Sequence, residues 1–561
     1  MRSIHLLHIL WVSQVVNGSL LDHYPYWPRE AVTYNNAASV AANQRLKLLK
    51  RRDYVETATE LVRSIAPNAT FRLVDDHYIG TNGIGHVNFR QTANGLDIDN
   101  ADFNANIARD GSIFSFGNLF FNGELFISRD TSTEAIEGVK SLTIKGVSGT
   151  VEDPKAQLVY FVKPDNSLTL TWRVETKSSE SWLVSYVDAE AASPGVIGIV
   201  NYISHATYED HAELSRIRTD GQNTTQGNNA NAGSVPVALV YYPYSENMTF
   251  EYPYTPDTAK GLTYRDAAVA QIFYTVNMYH DLLYILGFTP AAGNFQADNH
   301  GEGGGGGDND PVRVLIHHYN GRNNRNFQRT VDGATAEMVM YLFDDADPER
   351  DVTFDNGFVI HEYTHGCRLT GRPQNSNCLD AFEADGMAEG WGDFYAAAIM
   401  LKPNYTGFAA WPTNSSNPPT ARRVMYSTDM DVNPWTCLTV NKLTNVHEVG
   451  TAWATMLYEV LWNLIDKHGK NDAERPEMVD GVPSDGKCLA MKIVLDALAL
   501  QPRNPTFVQA RDAILDADEA LAGSQNTCEI WKGFAKRGLG GGAVFRHTER
   551  VDDFAISNGV C

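Results

Sequence analysis

Asp351-Val352-Thr353-Phe354-Asp355-Asn356-Gly357-Phe358-Val359-Ile360-His361-Glu362-Tyr363-Thr364-His365-Gly366 is the stretch on which the reading of this chain turns. Phe354, Phe358 and Val359 recur at helical spacing and Gly366 is a natural stop, so the pattern predicts one helix over 351–366. On that helix His361 and His365 project from one face, one turn apart, and both imidazoles can reach a single metal ion. Glu362 then lies beside the ion without ligating it, where a general base has to be. Two imidazoles on one face are part of the donor set of a catalytic zinc centre, and the adjacent carboxylate is the base for its water.

Such a centre takes three protein donors and keeps a fourth position open. Gly at 368 and His at 371 would supply the third in one known arrangement; Arg368 and Gly371 stand there and exclude it. Downstream, Phe382-Glu383-Ala384-Asp385-Gly386-Met387-Ala388-Glu389-Gly390-Trp391-Gly392-Asp393-Phe394 leads into an apolar helical run, Tyr395 to Met400. Glu389 and Asp393 are four apart and share a face. Glu389 is the expected third ligand, and Asp393 the carboxylate that accepts a ligand histidine's N–H. Glu383 is the competing third ligand, although its neighbour Asp385 lies on another face. A solvated or capping carboxylate is the ordinary alternative for Asp393.

These motifs, His361 to Gly366, then Arg368-Leu369-Thr370-Gly371 and Glu389 to Phe394, resemble those of the fungalysin metalloproteases, relatives of thermolysin. Gly83–Phe103 (GIGHVNFRQTANGLDIDNADF) resembles the propeptide of that family, and Gln271–Phe288 (QIFYTVNMYHDLLYILGF) its early catalytic domain. The resemblance implies an α+β fold with two thermolysin-like lobes, mixed and mainly helical, behind a strand-rich propeptide. It implies that His361, His365 and Glu389 hold one zinc, that Glu362 is the catalytic glutamate and that Asp393 orients a ligand histidine. Asn445-Val446-His447-Glu448-Val449-Gly450 is similar to the segment carrying thermolysin's transition-state histidine, which makes His447 the expected donor to the oxyanion. Asn323-Asn324-Arg325-Asn326-Phe327 resembles the family's asparagine-rich edge segment, so Asn324 and Asn326 are expected to meet the substrate backbone; a polar turn is the plainer reading. Three departures stand out: the chain between His365 and Arg368 is about two residues short of the family form, Gly392 replaces a usual Ser, and Arg372 stands where Gly is common. None is a proposed ligand, but the shortened loop puts subsite preference in doubt.

Composition agrees with a secreted enzyme. At 561 residues and 43% hydrophobic content the chain can bury several cores. A formal charge of −23, spread along the chain, argues against nucleic acid or anionic membranes as partners. Arg2, the apolar run Ile4 to Val16 and the small residues up to Gly18 read as a signal peptide over 1–18. No run reaches the length of a membrane span, so no anchor is expected. Six cysteines (Cys367, Cys378, Cys437, Cys488, Cys528 and Cys561) all lie late, which suggests up to three disulfides in an oxidising compartment, with Cys367–Cys378 the nearest pairing. Sequons at Asn68, Asn223, Asn247, Asn404 and Asn414 permit glycosylation.

Alternating patterns such as Gln157–Lys163 and Leu168–Val174 predict strands in a propeptide over 19–215, which the resemblance makes an intramolecular chaperone and inhibitor. A polar stretch, Arg218 to Ser234, marks an exposed linker. The N-terminal lobe of the catalytic domain is then 216–350, with a strong helix at Tyr264 to Leu286. The zinc helix and helical lobe are 351–561, with helices at Met387–Met400, Val446–His468, Lys487–Ala499 and Pro505–Leu521. Gly303 to Gly307, before Asp308-Asn309-Asp310, lacks the Lys-Ser/Thr of a phosphate loop and the spaced carboxylates of a calcium loop; it reads as a flexible loop, and calcium is not indicated. The expected function is a secreted zinc endopeptidase, a monomer made as a preproenzyme and acting on polypeptides. The alternatives are a zinc aminopeptidase, with Glu383 as the anchor for a free amine, and a catalytically silent secreted binding protein.

Overall fold

In the computed structural model the described residues lie within 33–561, apart from short runs and, the longest of these, 47–52, 124–140, 144–153, 190–195, 205–222, 255–260, 302–308, 368–378, 402–407 and 409–420. The leader, the proposed propeptide boundary, the glycine run, Cys378 and the sequons at Asn247, Asn404 and Asn414 lie outside the described residues. The content is mixed helix and strand, an α+β protein.

The first part of the chain builds an 11-stranded sheet. Its path runs β1 (Thr33–Asn35), β6 (Ile113–Asn118), β5 (Leu96–Ile107), β8 (Lys155–Val162), β9 (Leu168–Lys177), β10 (Trp182–Asp188) and β11 (Val196–Asn201), with β2 (Thr70–Leu73) and β3 (Tyr78–Ile79) on β4 (Gly85–Ala93), β4 on β5, and β7 (Ser141–Thr143) on β8. The strand predicted at 157–163 overlaps β8, which ends at Val162, and that predicted at 168–174 lies within β9. A short helix, α1 (Ala37–Ala42), follows β1, and α2 (Tyr54–Ile65) covers the sheet. Ala58, Leu61 and Val62 of α2 share a core with Val87, Phe89, Phe103 and Ile107, where the alternation of the strands turns one face toward the helix.

A second sheet of six strands carries the order β12 (Ile203–Ser204), β16 (Arg325–Gln328), β17 (Glu337–Met340), β15 (Val312–Ile316), β13 (Ala230–Val237), β14 (Leu239–Tyr241). Strands β13, β15 and β17 are parallel; β15 and β17 are mainly apolar, and small residues such as Ala230, Ala232 and Gly233 fill β13. The long helix α3 (Arg265–Leu286) packs on β13 and on the helix that carries the two histidines, α4 (Asn356–Thr364). Polar side chains of α3 grip α4 at both ends: Thr275 Oγ1 donates to Asn356 Oδ1 at 3.0 Å, and the Tyr279 hydroxyl meets Thr364 Oγ1 at 2.8 Å. Helices α5 (Phe382–Ile399), α6 (Val446–His468), α7 (Gly486–Leu500), α8 (Phe507–Ala522) and α9 (Thr527–Lys536) follow; α6 to α8 lie close to the predicted spans, α5 starts earlier than the predicted Met387, and α9 has no counterpart among the predicted helices. All join one large core with α3, α4 and the second sheet.

Two expectations are corrected. The helix predicted over 351–366 is broken: a 3-10 turn, Val352–Phe354, precedes α4, because Asp351 and Asp355 each cap a helical start, accepting from Thr353 N and Phe358 N. The suggested Cys367 pairing fails as well, since Cys367, Cys437 and Cys488 are free, buried thiols. The disulfide among the described residues is Cys528–Cys561, which ties the tail to α9.

Candidate active site

His361 lies inside α4 and His365 is its C-cap residue, so the two imidazoles emerge at the helix end. Their Nε2 atoms are 3.1 Å apart. Glu389, on α5, places Oε2 at 3.4 Å from His361 Nε2 and Oε1 at 3.6 Å from His365 Nε2. Donors bonded at about 2.0–2.1 Å to a tetrahedral ion lie about 3.3 Å from one another. The three side chains therefore have the spacing of three corners of such a tetrahedron, and their nitrogen and carboxylate chemistry fits zinc. His361, Glu362 and His365 also bring ligand atoms within 4.8 Å of one another, but Glu389 is the carboxylate with an oxygen facing each imidazole.

Backbone contact sets these distances. Helices α5 and α6 cross glycine on glycine: a Cβ added at Gly390 would lie 2.6 Å from Gly450 O, and one at Gly450 would lie 2.6 Å from Glu389 Cβ. Gly392, the departure from the usual Ser, faces α4 in the same way, with a Cβ there 2.6 Å from His361 Nδ1. Asp393 then reaches His361 Nδ1 at 2.8 Å. Accepting that N–H leaves the Nε2 lone pair facing the donor cluster.

Two residues that sequence reasoning missed hold Asp393. Arg422 clamps it two-pronged, Nε to Oδ2 and Nη2 to Oδ1, both at 2.7 Å, and the Tyr426 hydroxyl donates to Oδ2. Burial would raise the Asp393 carboxyl, but Arg422 and His361 outweigh it and hold it well below the usual range. Burial likewise opposes charge on His361, yet Asp393 and Glu389 raise it to about 9, so an incoming cation displaces a proton there.

Glu362 is wholly buried, and burial pushes it up to about 7 against the opposing influence of His361 and Arg325. Neither of its oxygens has a hydrogen-bond partner, which leaves both lone-pair sets for a proton-carrying guest. Arg325 is the third missed residue. Asn324, Arg325 and Asn326 were one polar segment to the sequence, but the strand alternation turns Arg325 inward, with Nε 3.5 Å from Glu362 Oε1 and the guanidinium 3.9 Å over the Phe358 ring. Asn326 is buried and Asn324 partly so, and the outer side of β16 is paired antiparallel by β12, which begins two residues after β11 ends.

His447 stands at the start of α6, whose N-cap Asn445 accepts from His447 N at 2.8 Å and faces His447 Nδ1 at 3.0 Å. Its Nε2 lies 3.5 Å from Glu389 Oε2, and its side chain is 28% exposed where those of His361 and His365 are closed to solvent. Burial lowers its proton affinity, Glu389 opposing. Glu383 is brought to neither imidazole: Arg550 holds its Oε2 at 2.5 Å and Phe507 N donates to its Oε1 at 2.6 Å. A Ser234–His317–Asp351 chain, with contacts of 3.2 and 2.5 Å, has all three members buried and pins the turn before α4 to the sheet.

Comparison with known proteins follows these contours. The model of the fungalysin metallopeptidases (M36) matches residues 196–543, and that of the fungalysin/thermolysin propeptide motif matches residues 69–120. The chain is 47% identical to the extracellular metalloproteinase MEP of Neosartorya fischeri over 97% of this chain and 96% of that protein. It is 48% identical to extracellular metalloproteinase 10 of Coccidioides posadasii, over 94% and 93%. Among solved structures, the C-terminal domain of Bacillus megaterium YpeB covers 27% of this chain and 67% of its own at 12% identity, with a TM-score of 0.16, too low to bear on the fold.

Proposed function

The chain belongs to the fungalysin metallopeptidases, and from that premise we propose a secreted zinc endopeptidase whose cleft is built by the residues just described. The chain is a metalloendopeptidase made as a proenzyme and acting outside the cell, and no helix among its described residues is long and apolar enough to cross a membrane. In our reading zinc is the ion, held by His361, His365 and Glu389, and the donor spacing of 3.1 to 3.6 Å is the observation that carries it. The signal peptide at 1–18, propeptide at 19–215, mixed lobe at 216–350 and helical lobe at 351–561 are part of the same proposal; the core beneath α2, separate from the main core, supports the division between propeptide and catalytic domain.

When bound, the ion supplies Lewis acidity to a water and to the scissile carbonyl. Glu362, desolvated and with no hydrogen-bond partner on either oxygen, takes the attacking water's proton and passes it to the leaving amine. His447, the solvent-facing member, donates to the oxyanion from the start of α6. Asp393 keeps the His361 proton on Nδ1, and Arg422 with Tyr426 keeps Asp393 in place. Asn324 and Asn326 would meet the substrate backbone along β16 once β12 has left that edge. The acid that would have anchored a free amine, Glu383, is committed to Arg550, so an endopeptidase is favoured over an aminopeptidase. The test is cleavage of an N-terminally blocked, internally quenched peptide by processed protein, with zinc stoichiometry. One zinc per chain and chelator-sensitive cleavage is expected; cleavage that survives complete removal of the metal would sink the reading.

A further inference from the structure

The contacts between the first sheet and the helical half gather on elements that carry none of the candidate site residues. Strand β5 offers three polar side chains to one short segment: Asn104 Nδ2 and Asn106 Nδ2 donate to Leu500 O at 3.3 and 3.0 Å, and Asp102 pairs with Arg503. Arg503 is 5% exposed and Asp102 8%, and Arg90 holds the other Asp102 oxygen at 2.5 Å, so this is a desolvated charge network and not a rim contact. Further out, Lys492 Nζ on α7 donates to Thr81 Oγ1 at 3.1 Å. On α8, Asp516 accepts the Tyr34 hydroxyl at 2.7 Å and Ala37 N at 3.2 Å. The approach is tight: a Cβ at Gly117 of β6 would lie 2.6 Å from Pro502 Cβ.

We propose that Leu500–Arg503, with Lys492 of α7 and Asp516 of α8, is a polar exosite for the propeptide that holds the two halves together independently of the metal site. The proposal rests on the reading of the first sheet as a propeptide. Its chemistry suits a separable partner. A fixed domain boundary can be closed with apolar side chains, and Tyr78 and Ile84 do reach the main core from this sheet. Phe114 and the Tyr34 ring pack against that core as well, but the contacts at Leu500, Arg503, Lys492 and Asp516 are made by groups that remain soluble when parted, as in interfaces between chains that exist apart. The same loop continues to Asn504, whose Oδ1 accepts Asp380 N and Ala381 N at the start of α5. The propeptide therefore grips the loop that also fixes the helix bearing Glu389 and Asp393, which is where an intramolecular chaperone would act.

The experiment uses secreted protein whose connection between residues 205 and 222 has been cut, by the protein itself or by brief trypsin at Arg216 or Arg218. Gel filtration then measures how much propeptide stays with the catalytic half, with and without chelator. The wild type should retain it in both conditions. Arg503→Ala and Asp102→Ala should each weaken retention about 30-fold or more, the effect of truncating one partner of a desolvated pair. The swap Asp102→Arg with Arg503→Asp should restore it in part, which separates a lost contact from a failed fold; Tyr34→Phe is a milder probe. Retention by Arg503→Ala equal to the wild type, or complete release of wild-type propeptide by chelator alone, would overturn the exosite. The protease reading is scored separately, since the catalytic half freed from Arg503→Ala should cleave the blocked peptide. If it is inert and metal-free, that reading fails whatever the elution shows.

Discussion

The proposed metal centre and the proposed propeptide exosite are both buried polar networks built on an arginine that clamps an aspartate, yet they are closed in opposite ways. Around Asp393 every partner belongs to the catalytic half: Arg422, Tyr426 and His361 sit on elements that cannot part without unfolding. Around Asp102 the partners straddle two halves, Arg90 on one and Arg503 on the other. A desolvated ion pair is costly to open when its members have nowhere else to go, and conditional when one member can leave with its own solvated surface. The first network is thus a permanent part of the catalyst, and the second is a fastening.

The sharpest way to break the comparison is Glu362→Gln. Peptide cleavage should fall about 10²–10⁴-fold while zinc content and propeptide retention stay at wild-type levels. Loss of the metal as well would put Glu362 among the ligands. Replacing His447 by Ala should lower kcat about 10²–10³-fold with little change in KM, because its contact matters to the developing oxyanion and not to ground-state binding. Asp393→Asn should weaken zinc binding about 10–100-fold, read by competition with a chromogenic chelator, again without releasing the propeptide. Gly390→Ala pushes a methyl into the α5–α6 crossing and should cost about 1–3 kcal/mol in a denaturant titration.

The smallest effect is a pH dependence confined to the exosite. Burial pushes Asp516 up to about 7; the Tyr34 hydroxyl and Ala37 amide oppose this, and Asp512 and Glu519 add to it. A free carboxyl titrates near about 3.9. The docked form therefore binds the proton more tightly, so this contribution to docking is full below the free value and fades as pH rises through about 7. Propeptide retention measured at rising pH should weaken across that window, and Asp516→Asn should flatten the step. An unchanged step in the variant would assign it to another group.

The two histidines and the Glu389–Asp393 pair were legible because helical spacing puts each pair on one face, and Glu362 because it adjoins His361 in the motif. The strand and helix spans were legible for the same reason, since periodicity survives in one dimension. What stayed hidden depends on partners far away in the chain. Arg422 and Tyr426 lie in a stretch without periodicity and matter only because they meet Asp393, 29 and 33 residues earlier. Glu383 looked available until Arg550, 167 residues on, was seen to hold it. The break before α4 was readable in principle, from Asp351 and Asp355 as successive caps, but the apolar stripe through Phe354 masked it. Arg325 shows the strand alternation working inside what looked like a uniformly polar segment.

The glycine-on-glycine crossing of α5 and α6 gives the catalyst a hard stop. With backbone against backbone, the separation between Glu389 and His447 is set by peptide geometry, which no side-chain repacking can relax. Substitutions elsewhere in the helical core can then drift over many generations without retuning the distance between the proposed ligand and the residue proposed to steady the transition state. At Gly390 and Gly450 that freedom narrows, because even a single added methyl there must push the two helices apart.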